Sequence, residues 1–445
     1  MLSRISISPN IKSFLKNLKF VRLLALRDNW TDRLGKCDVL LLSHENDRSF
    51  TVDDKHYSQI IDSLRFYLES NNISCEGVSL PFNSNRSSID YNSYCVLDRE
   101  ILWQIICSVI LSIFQSKKKS RDVSFLRLKK VWIKILRRSC PSTVIAIQPH
   151  KSLCAACFEL GINIYDYQHG VVAWTHPLYI SKFYNETTRE KLPTGYLCWN
   201  EDSASRLRNW SSQYRMSVKV LGQPWLNRFI NHDKNDMLIN REKNTYRFSA
   251  NERKNILVTL QPKLDNQYPS FFKKNEVINS VLARVIKKSK DVNWLIRLHP
   301  MQNRDSRLKV KIAEQFAENS NVLINWPTKA PLPIVIAQCV GHITWNSASV
   351  IEAAMLGVRS YLLNPIDLFD PKLVGIERMY EKKIIQSSMQ YNFVFEERMG
   401  IVERAIKEPR EEHIKKWVNK VLVEPAHPKN RTTLFDTQEL LNLVK

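Results

Sequence analysis

The sequence predicts an α/β protein built from two Rossmann-like, doubly wound domains that face each other across a cleft. Short apolar runs alternate with helical patterns along both halves of the chain, which is typical of βαβ units and parallel sheets. The alternation stops over 228–254, where the residues are polar and charged, and then restarts. A chain of 445 residues with 44% hydrophobic content is large enough for two cores.

In the first half, the apolar runs have the length of buried strands and are separated by patterns of helical period. The predicted strands are 37–43, 78–80, 143–148, 163–167, 195–199 and 218–221. The predicted helices are 54–70, one ending at Leu160, and 201–210. We therefore predict a first domain over 1–227, followed by a linker over 228–254.

The second half repeats the alternation, and we predict a second domain over 255–445 whose last helices cross back to the first. Its predicted strands are 255–260, 293–297, 322–325, 341–344 and 358–363. Its predicted helices are 276–288, one ending near 318, a short one near 334, and 349–356. Doubly wound sheets bind ligands at the carboxyl ends of their strands, so the functional residues should follow these strands.

The composition restricts the class of function. There are 66 Lys and Arg against 44 Asp and Glu, and this net charge of +22 favours an anionic partner. Glycine is scarce, with 10 residues, and neither GxGxxG nor GxxxxGK[ST] occurs, which argues against a dinucleotide oxidoreductase or a P-loop NTPase. The basic residues are not interleaved with an aromatic stacking platform, so no nucleic-acid partner is expected.

The N-terminus has no secretory apolar run, and nine cysteines at scattered positions fit reduced thiols. Both features predict a cytoplasmic protein. Cys154 and Cys157 form a CxxC that is either half of a redox or zinc motif or part of a buried helix. The second interpretation is favoured because Leu153, Ala156, Cys157 and Leu160 recur with helical period.

An apolar run over 101–114 is followed by a strongly basic stretch over 117–138. The run is too short to span a bilayer. Phe125, Leu128, Val131 and Ile135 recur at helical spacing within the basic stretch. This pattern fits an amphipathic helix on an anionic inner membrane face, or an ordinary surface helix with a solvated basic side.

Polar residues end the predicted strand 293–297 of the second half. Arg297 and His299 would bring a cation and an imidazole to the cleft, with Pro300 stopping the strand. This arrangement suits a phosphate, although a histidine that caps a strand end would look the same. Gln261 and Asp265, which follow the strand 255–260, could bind sugar hydroxyls or form a polar turn begun by Pro262.

The segment after strand 341–344 reads as a polar turn that opens a helix. Asn346, Ser347 and Ser349 lie at this helix start, where free amides, the helix dipole and hydroxyl donors make an anion site. Ser349 and Glu352 also have the spacing of a capping box. Glu352 could instead face the cleft and accept from a ribose hydroxyl.

In the first half, His169 and Gly170 end the strand 163–167. Glycine permits a sharp turn there, and the imidazole would project into the cleft. A histidine with a pKa near neutrality can act as general base on an acceptor hydroxyl. His176 offers similar chemistry on a predicted loop, and we favour His169.

Taken in order, Gln168-His-Gly170, Gln261-Pro-x-x-Asp-x-Gln267, Arg297-Leu-His-Pro300 and Ser347-x-Ser-x-x-Glu-Ala353 resemble motifs of the bacterial capsule and lipopolysaccharide transferases of GT-B fold. These families include Kdo transferases, polysialyltransferases and the glycerol-phosphate polymerases of teichoic acid synthesis. The resemblance covers roughly 142–365. It departs from the polymerases at one position, where Gln168 replaces their tryptophan.

The resemblance implies a glycosyltransferase that moves a sugar from a nucleotide-activated donor to a glycan or lipid-linked glycan of the cell surface. It assigns His299, Ser347 and Ser349 to the donor phosphate and His169 to deprotonation. CMP-, CDP-, UDP- and GDP-linked donors stay open, as do inversion and retention. No Asp-x-Asp motif occurs, so we expect no metal and no cofactor. The alternatives are a polyol-phosphate transferase, a sugar-nucleotide 2-epimerase, and a non-catalytic protein that binds polyanions or membranes.

Overall fold

The computed structural model describes 30–43, 48, 50–52, 55–79, 91–92, 94–97, 100, 103, 107, 117–170, 172, 188–231, 234–246, 253–303, 305–364, 401–405, 408–424 and 434–444. These residues form two compact units. The first contains the described residues up to Val172, those from Thr188 to Trp225, and the C-terminal segment from Phe435. The second runs from Leu226 to Leu434.

The first unit is built on short buried strands and the helices between them. Its strands are β1 (Val39–Ser43), β2 (Phe50–Val52), β3 (Lys55–Tyr57), β4 (Cys75–Ser79), β5 (Cys95–Val96), β6 (Thr143–Ala146), β7 (Asn163–Tyr167), β8 (Gly195–Cys198) and β9 (Ser217–Val220). Its helices, in chain order, are α1 (Trp30–Arg33), α2 (Ile61–Glu69), α3 (Lys117–Ser139), α4 (Lys151–Leu160) and α5 (Glu201–Ser211). The 3₁₀ helices Arg189–Lys191 and Ser212–Tyr214 complete it.

Seven of these strands form one sheet in the order β5-β4-β1-β6-β7-β8-β9, and every pairing in it is parallel. Strand β1 is fully buried because the sheet is covered on both faces. The strand order reverses between β1 and β6, which makes this the topological switch point of the unit. Strands β2 and β3 form a separate antiparallel hairpin, and β3 occupies the first residues of the predicted helix 54–70, which begins at Ile61 as α2.

The chain passes from the first unit to the second within α6 (Pro224–Ile230), and α7 (Met237–Thr245) lies in the second unit. The strands of the second unit are β10 (Asn255–Thr259), β11 (Asn293–Arg297), β12 (Val322–Leu323), β13 (Cys339–Thr344), β14 (Arg359–Leu362) and β15 (Val402–Arg404). Its further helices are α8 (Leu264–Gln267), α9 (Ser280–Lys288), α10 (Pro300–Asn303), α11 (Ser306–Gln315), α12 (Asn325–Lys329), α13 (Leu332–Ile336), α14 (Ser349–Met355) and α15 (Glu411–Val423).

The second sheet has six strands in the order β12-β11-β10-β13-β14-β15, again all parallel. This is the classic doubly wound order, with its switch point between β10 and β13. Trp294 and Trp417 lie in the buried core between this sheet and its helices. The predicted fold class, two Rossmann-like α/β domains, is confirmed.

The range 228–254, which we predicted to be a linker, contains helix α7 and belongs to the second unit. Asp236 caps this helix by accepting from the Ile239 amide, and its carboxylate also forms a buried ion pair with Arg228 at 2.7 Å. Leu238 and Ile239 are buried. The composition misled the prediction because a short helix needs few apolar residues when one end is fixed by a buried ion pair.

The last helix, α16 (Thr437–Val444), packs on the first unit. Its residues Leu440 and Leu441 are buried, and the carbonyl of Leu443 accepts a hydrogen bond from the Thr143 hydroxyl on β6 at 3.4 Å. Lys219 on β9 pairs with Glu439 at 2.5 Å. The C-terminus therefore covers the strands at the centre and edge of the first sheet.

The basic helix α3 packs on the core of the first unit. Of the predicted apolar stripe, Val131 and Ile135 are buried in that core beside Trp132 and Leu136, whereas Phe125 and Leu128 are half-buried. The surface-helix interpretation therefore fits the C-terminal half of α3, and contact with a membrane stays a prediction. Most of the run 101–114 lies outside the described residues. Within the described part of the chain, no helix combines the length and apolar character needed to cross a bilayer.

We expect Leu440→Ala to loosen the first unit, because deleting a fully buried leucine side chain costs about 2–5 kcal/mol. Hydrogen exchange should rise in β6 and β9 and stay unchanged in β10 and β13. Gln438→Ala is the matched control, since Gln438 is exposed on the same helix. Equal exchange in both variants would show that α16 contributes little to the first unit.

Candidate functional site

The carboxyl edge of the second sheet gathers polar residues from three neighbouring strands. Thr259, the last residue of β10, is the register partner of Arg297 on β11 and of Thr344 on β13. The loops that follow these strands carry Gln261, His299 and Asn346. Gln261, His299 and Asn346, three of the candidate donor residues, therefore follow neighbouring strands at the switch point.

Gln261 connects the three loops. Its side-chain Oε1 accepts a hydrogen bond from the backbone N–H of Asn346 at 2.6 Å. Its carbonyl oxygen accepts from Nε2 of Gln302 at 3.1 Å. Because Gln302 belongs to α10 on the β11 side, one residue fixes the loops on both sides of the switch point. Gln302 was not predicted from the sequence.

His299 opens helix α10 and is held as a neutral imidazole. The backbone N–H of His299 donates to Oε1 of Gln302 at 3.0 Å, and its ring Nδ1 accepts from the backbone N–H of Met301 at 3.2 Å. Burial, with a further effect of the nearby Arg297 charge, lowers the pKa of His299 to about 4. With Nδ1 acting as acceptor, Nε2 carries the proton and can donate to a ligand.

The two serines of the predicted anion site have different environments. The Ser347 hydroxyl accepts from the N–H of Ser349 at 3.3 Å. Ser349 itself is 5% exposed, and its hydroxyl lies 3.0 Å from that of Thr259 and 3.3 Å from Nε2 of His342. The capping box with Glu352 is wrong, since α14 has no side-chain cap and Ser349 faces the sheet.

His342 is a buried residue of the site that the sequence reasoning missed. Its side chain is fully buried in β13, with Nε2 at 2.9 Å from the Thr259 hydroxyl and Nδ1 at 2.9 Å from the Ser360 hydroxyl. Burial lowers its pKa to about 3, so the ring is neutral. The only signal in the sequence is a histidine inside an apolar strand, which is also common in ordinary cores.

Arg297 and Glu352 interact electrostatically beside this network. Nη1 of Arg297 donates to the carbonyls of Pro327 and Ala330, the latter at 2.6 Å. Burial lowers the pKa of Arg297 to about 10. Burial raises the pKa of Glu352 to about 7, although the charge of Arg297 acts in the opposite direction. Arg297 therefore anchors a loop, and its assignment to the donor phosphate stays a prediction.

Asp265 has a local structural contact. It lies in the short helix α8, and its Oδ2 accepts from the N–H of Asn275 at 2.9 Å. This hydrogen bond fixes the loop that follows the helix. Its predicted contact with a sugar hydroxyl is therefore not supported by the geometry around it, and it stays a prediction.

In the first unit, His169 follows β7 and is held in place by the residue before it. Gln168 is 1% exposed, accepts from the Trp199 N–H at 2.7 Å, and donates to the Gly170 carbonyl at 2.8 Å and to the Ser203 hydroxyl at 3.1 Å. Gly170 has a φ of +93°, as expected for a sharp turn.

The environment of His169 keeps its ring neutral, because burial lowers its pKa to about 4. Downstream of the turn, Arg206 donates to the Val172 carbonyl at 2.9 Å and pairs with Asp202 at 2.6 Å. The alternative base, His176, lies outside the described residues. Cys154 and Cys157 are buried in α4, as the helical interpretation predicted.

No protein-family model matches the chain, and a search of curated proteins finds no match. Among solved structures, UDP-GlcNAc 2-epimerase from Methanocaldococcus jannaschii, in complex with UDP-GlcNAc and UDP, is 12% identical, with 91% of this chain and 99% of that chain covered and a TM-score of 0.52. MnaA of S. aureus with UDP is 11% identical, with 92% and 95% covered and a TM-score of 0.50. The wall teichoic acid polymerase TagF is 10% identical, with 98% and 95% covered and a TM-score of 0.49. The two parallel sheets and the similarity to the first two structures show that the chain has the GT-B fold.

Replacing Glu352 should change the pH dependence of stability. Since its pKa is raised to about 7 from an ordinary value of 4.5, the folded protein binds the proton more tightly, and stability falls as pH rises between these values. We expect Glu352→Gln to match the wild-type Tm at pH 4 and to exceed it at pH 8. An equal Tm difference at both pH values in thermal melts would contradict the raised pKa.

Proposed function

We propose that the protein is a glycosyltransferase that moves a sugar from a nucleotide-activated donor to a surface-polysaccharide acceptor. The observation that carries this proposal is the linked set of Gln261, Asn346 and His299 at the switch point of the second sheet. These hydrogen bonds hold a neutral imidazole whose Nε2 can donate to a ligand. Such donors stabilise the negative charge that develops on a departing nucleotide phosphate.

A nucleotide sugar is the donor class that fits this site. Doubly wound domains bind nucleotides at the carboxyl ends of the strands beside the switch point, where these residues lie. The M. jannaschii epimerase and MnaA, both of similar fold, were solved with UDP, which makes UDP the first nucleotide to test. Ser347 and Glu352 are the further residues that we assign to the donor, with Ser349 and His342 supporting them from the interior.

His169 is our candidate for the general base in the first unit. A pKa of about 4 keeps its imidazole unprotonated at neutral pH, so it can accept a proton from an acceptor hydroxyl. Gln168 holds the turn that carries it through three hydrogen bonds. We assign Gln168 to positioning His169, since its side chain is buried and cannot reach a substrate itself.

The charge of the chain supports an anionic acceptor. Arg127, Lys130, Lys134 and Arg137 are exposed along α3, on the face opposite the buried apolar residues. This basic face would attract an acidic glycan or the anionic inner leaflet that carries a lipid-linked glycan. We therefore place the reaction in the cytoplasm, at the inner face of the membrane.

A sugar-nucleotide 2-epimerase is the second candidate, and the M. jannaschii structure of similar fold, which is named as an epimerase, favours it. That reaction needs carboxylates to move protons on the sugar ring. Asp166, at the carboxyl edge of the first sheet, is fully buried, and its Oδ1 accepts from the Gln148 N–H at 2.9 Å. Asp166 therefore holds the Gln148 loop, and the carboxyl of Glu352 is the group that an epimerase would have to use in the second unit.

We expect one of CMP, CDP, UDP and GDP to raise the Tm of the wild type and to lose most of this effect in His299→Ala, because the variant lacks the Nε2 donor. His413→Ala is the matched control, since His413 is exposed in the same unit. Stabilisation by CDP would favour the polyol-phosphate transferase. If no nucleotide raises the Tm, the protein is better described as a non-catalytic polyanion-binding protein.

A sugar linked to the nucleotide that raises the Tm should stay unchanged when it is incubated with the protein and no acceptor. NMR of the sugar protons would follow this. Conversion to a second sugar without acceptor would identify a 2-epimerase instead.

With an acceptor extract, His169→Asn should lower kcat by about 10²–10⁴-fold while leaving nucleotide affinity unchanged, because loss of a general base affects the chemical step. In a plot of rate against pH, ionisation of His169 should leave the wild-type rate constant from pH 6 to pH 8. The rate should fall as the pH approaches 4, where His169 becomes protonated. A rate that still falls near pH 6.5 would contradict the lowered pKa.

A further inference from the structure

The switch point of the first sheet brings the start of a helix to its carboxyl edge. Strand β1 pairs with β6 there, and the chain continues beside β1 for one more residue, since the N–H of Ile147 donates to the Leu42 carbonyl at 3.2 Å. Helix α4 begins at Lys151, a few residues beyond the end of β6 at Ala146. Its N-terminus therefore lies at the carboxyl edge, where doubly wound sheets bind ligands.

The start of α4 favours an anion electrostatically. His150 is the N-cap in an extended conformation, and its carbonyl accepts from the N–H groups of Leu153 and Cys154 at 2.9 and 3.1 Å. The first turn contains Lys151 and no acidic residue. The positive end of the helix dipole faces outward at this first turn.

Ser152 points to a ligand at this helix start independently of the dipole. Its side chain is 3% exposed, and within the described part of the chain its hydroxyl has no hydrogen-bond partner. Leaving a buried hydroxyl unsatisfied is costly. A Cα–Cβ bond in a helix tilts toward the N-terminus, so the hydroxyl of this second helical residue leans toward the position where an anion would bind.

The same loop is tied to the strand that carries the proposed base. The N–H of Gln148, between β6 and α4, donates to Oδ1 of Asp166 on β7 at 2.9 Å. Strand β7 neighbours β6 and leads directly into His169. The α4 N-terminus and His169 therefore lie on neighbouring strand ends of one sheet edge.

We propose that the N-terminus of α4, with the Ser152 hydroxyl, binds a phosphate group of the acceptor. This inference rests on the proposed function, because it takes the bound phosphate to belong to the acceptor whose hydroxyl His169 deprotonates. Phosphate offers several acceptor oxygens for the helix amides and the hydroxyl together. The acceptor is then a phosphorylated sugar or a glycan linked to lipid through phosphate.

The test is calorimetric titration of the full chain with inorganic phosphate, glucose 1-phosphate and uncharged glucose. The stabilising nucleotide is present at saturation, so that the second unit is occupied. We expect both phosphates to bind the wild type and glucose not to bind. Ser152→Ala should weaken phosphate binding by about tenfold, as expected for one hydrogen bond to a charged group. Tighter binding of glucose 1-phosphate than of free phosphate would identify the sugar phosphate as the source.

Ser211→Ala is the matched control. Ser211 ends α5 in the same unit, is 1% exposed, and its hydroxyl also has no partner among the described residues. It lies at the C-terminal, negative end of its helix, where an anion is disfavoured. This variant should bind phosphate like the wild type, and a similar loss in both serine variants would overturn the proposal.

Unchanged phosphate affinity in Ser152→Ala, or no phosphate binding to the wild type, would also overturn it. Ser152→Cys gives the same test with a near-isosteric, weaker donor if the alanine variant does not fold. Nucleotide affinity should be equal in all variants. If no nucleotide binds the wild type, the proposed function fails, and the phosphate titration without nucleotide still reports on Ser152.

Discussion

The parallel pairing of every strand in the two main sheets fixes where chemistry can occur in this protein. Parallel strands place all their carboxyl ends on one edge, and the reversal of strand order separates the loops at one position on that edge. In the second sheet this position lies between β10 and β13, where Gln261 binds the Asn346 amide. In the first it lies between β1 and β6, beside the start of α4. Both candidate sites follow from the same constraint.

Much of the fold could be predicted from sequence, because the buried strands are short apolar runs. Strands 163–167 and 293–297 have the predicted bounds, since each is followed by a polar turn. The prediction failed where contacts between residues distant in sequence, and not the local pattern of apolar residues, decide the structure. The segment 228–254 looked like a linker because its composition is polar and charged. Composition does not reveal the buried ion pair that fixes helix α7 in this segment. Helical period in the basic segment over 117–138 was correct, but period alone cannot tell whether an apolar stripe faces a core or a membrane.

The candidate site was only partly predictable. Residues directly after strands, such as His299 and Asn346, could be placed because strand ends converge. Residues that act through side-chain hydrogen bonds could not, since Gln302 and His342 carry no pattern of their own. Ser349 shows the difference: its sequence position suggested a helix cap, but the hydroxyl instead joins Thr259 in the interior. The positions of neighbouring elements in the folded chain must be known before such a contact can be inferred.

The neutral histidines of the candidate sites and the charged lysines and arginines of the surface have different roles: the histidines form local hydrogen bonds, and the surface charges attract a substrate over longer distances. His169, His299 and His342 all have pKa values of about 3 to 4 because burial disfavours their charged forms. They contribute hydrogen bonds and no charge near neutral pH. The net charge of +22 resides instead on lysines and arginines, many of them exposed as along α3. Exposed charges are screened by salt, whereas buried hydrogen bonds are screened much less. Raising the ionic strength should therefore slow the capture of an anionic substrate more than it weakens the contacts made once the substrate is bound.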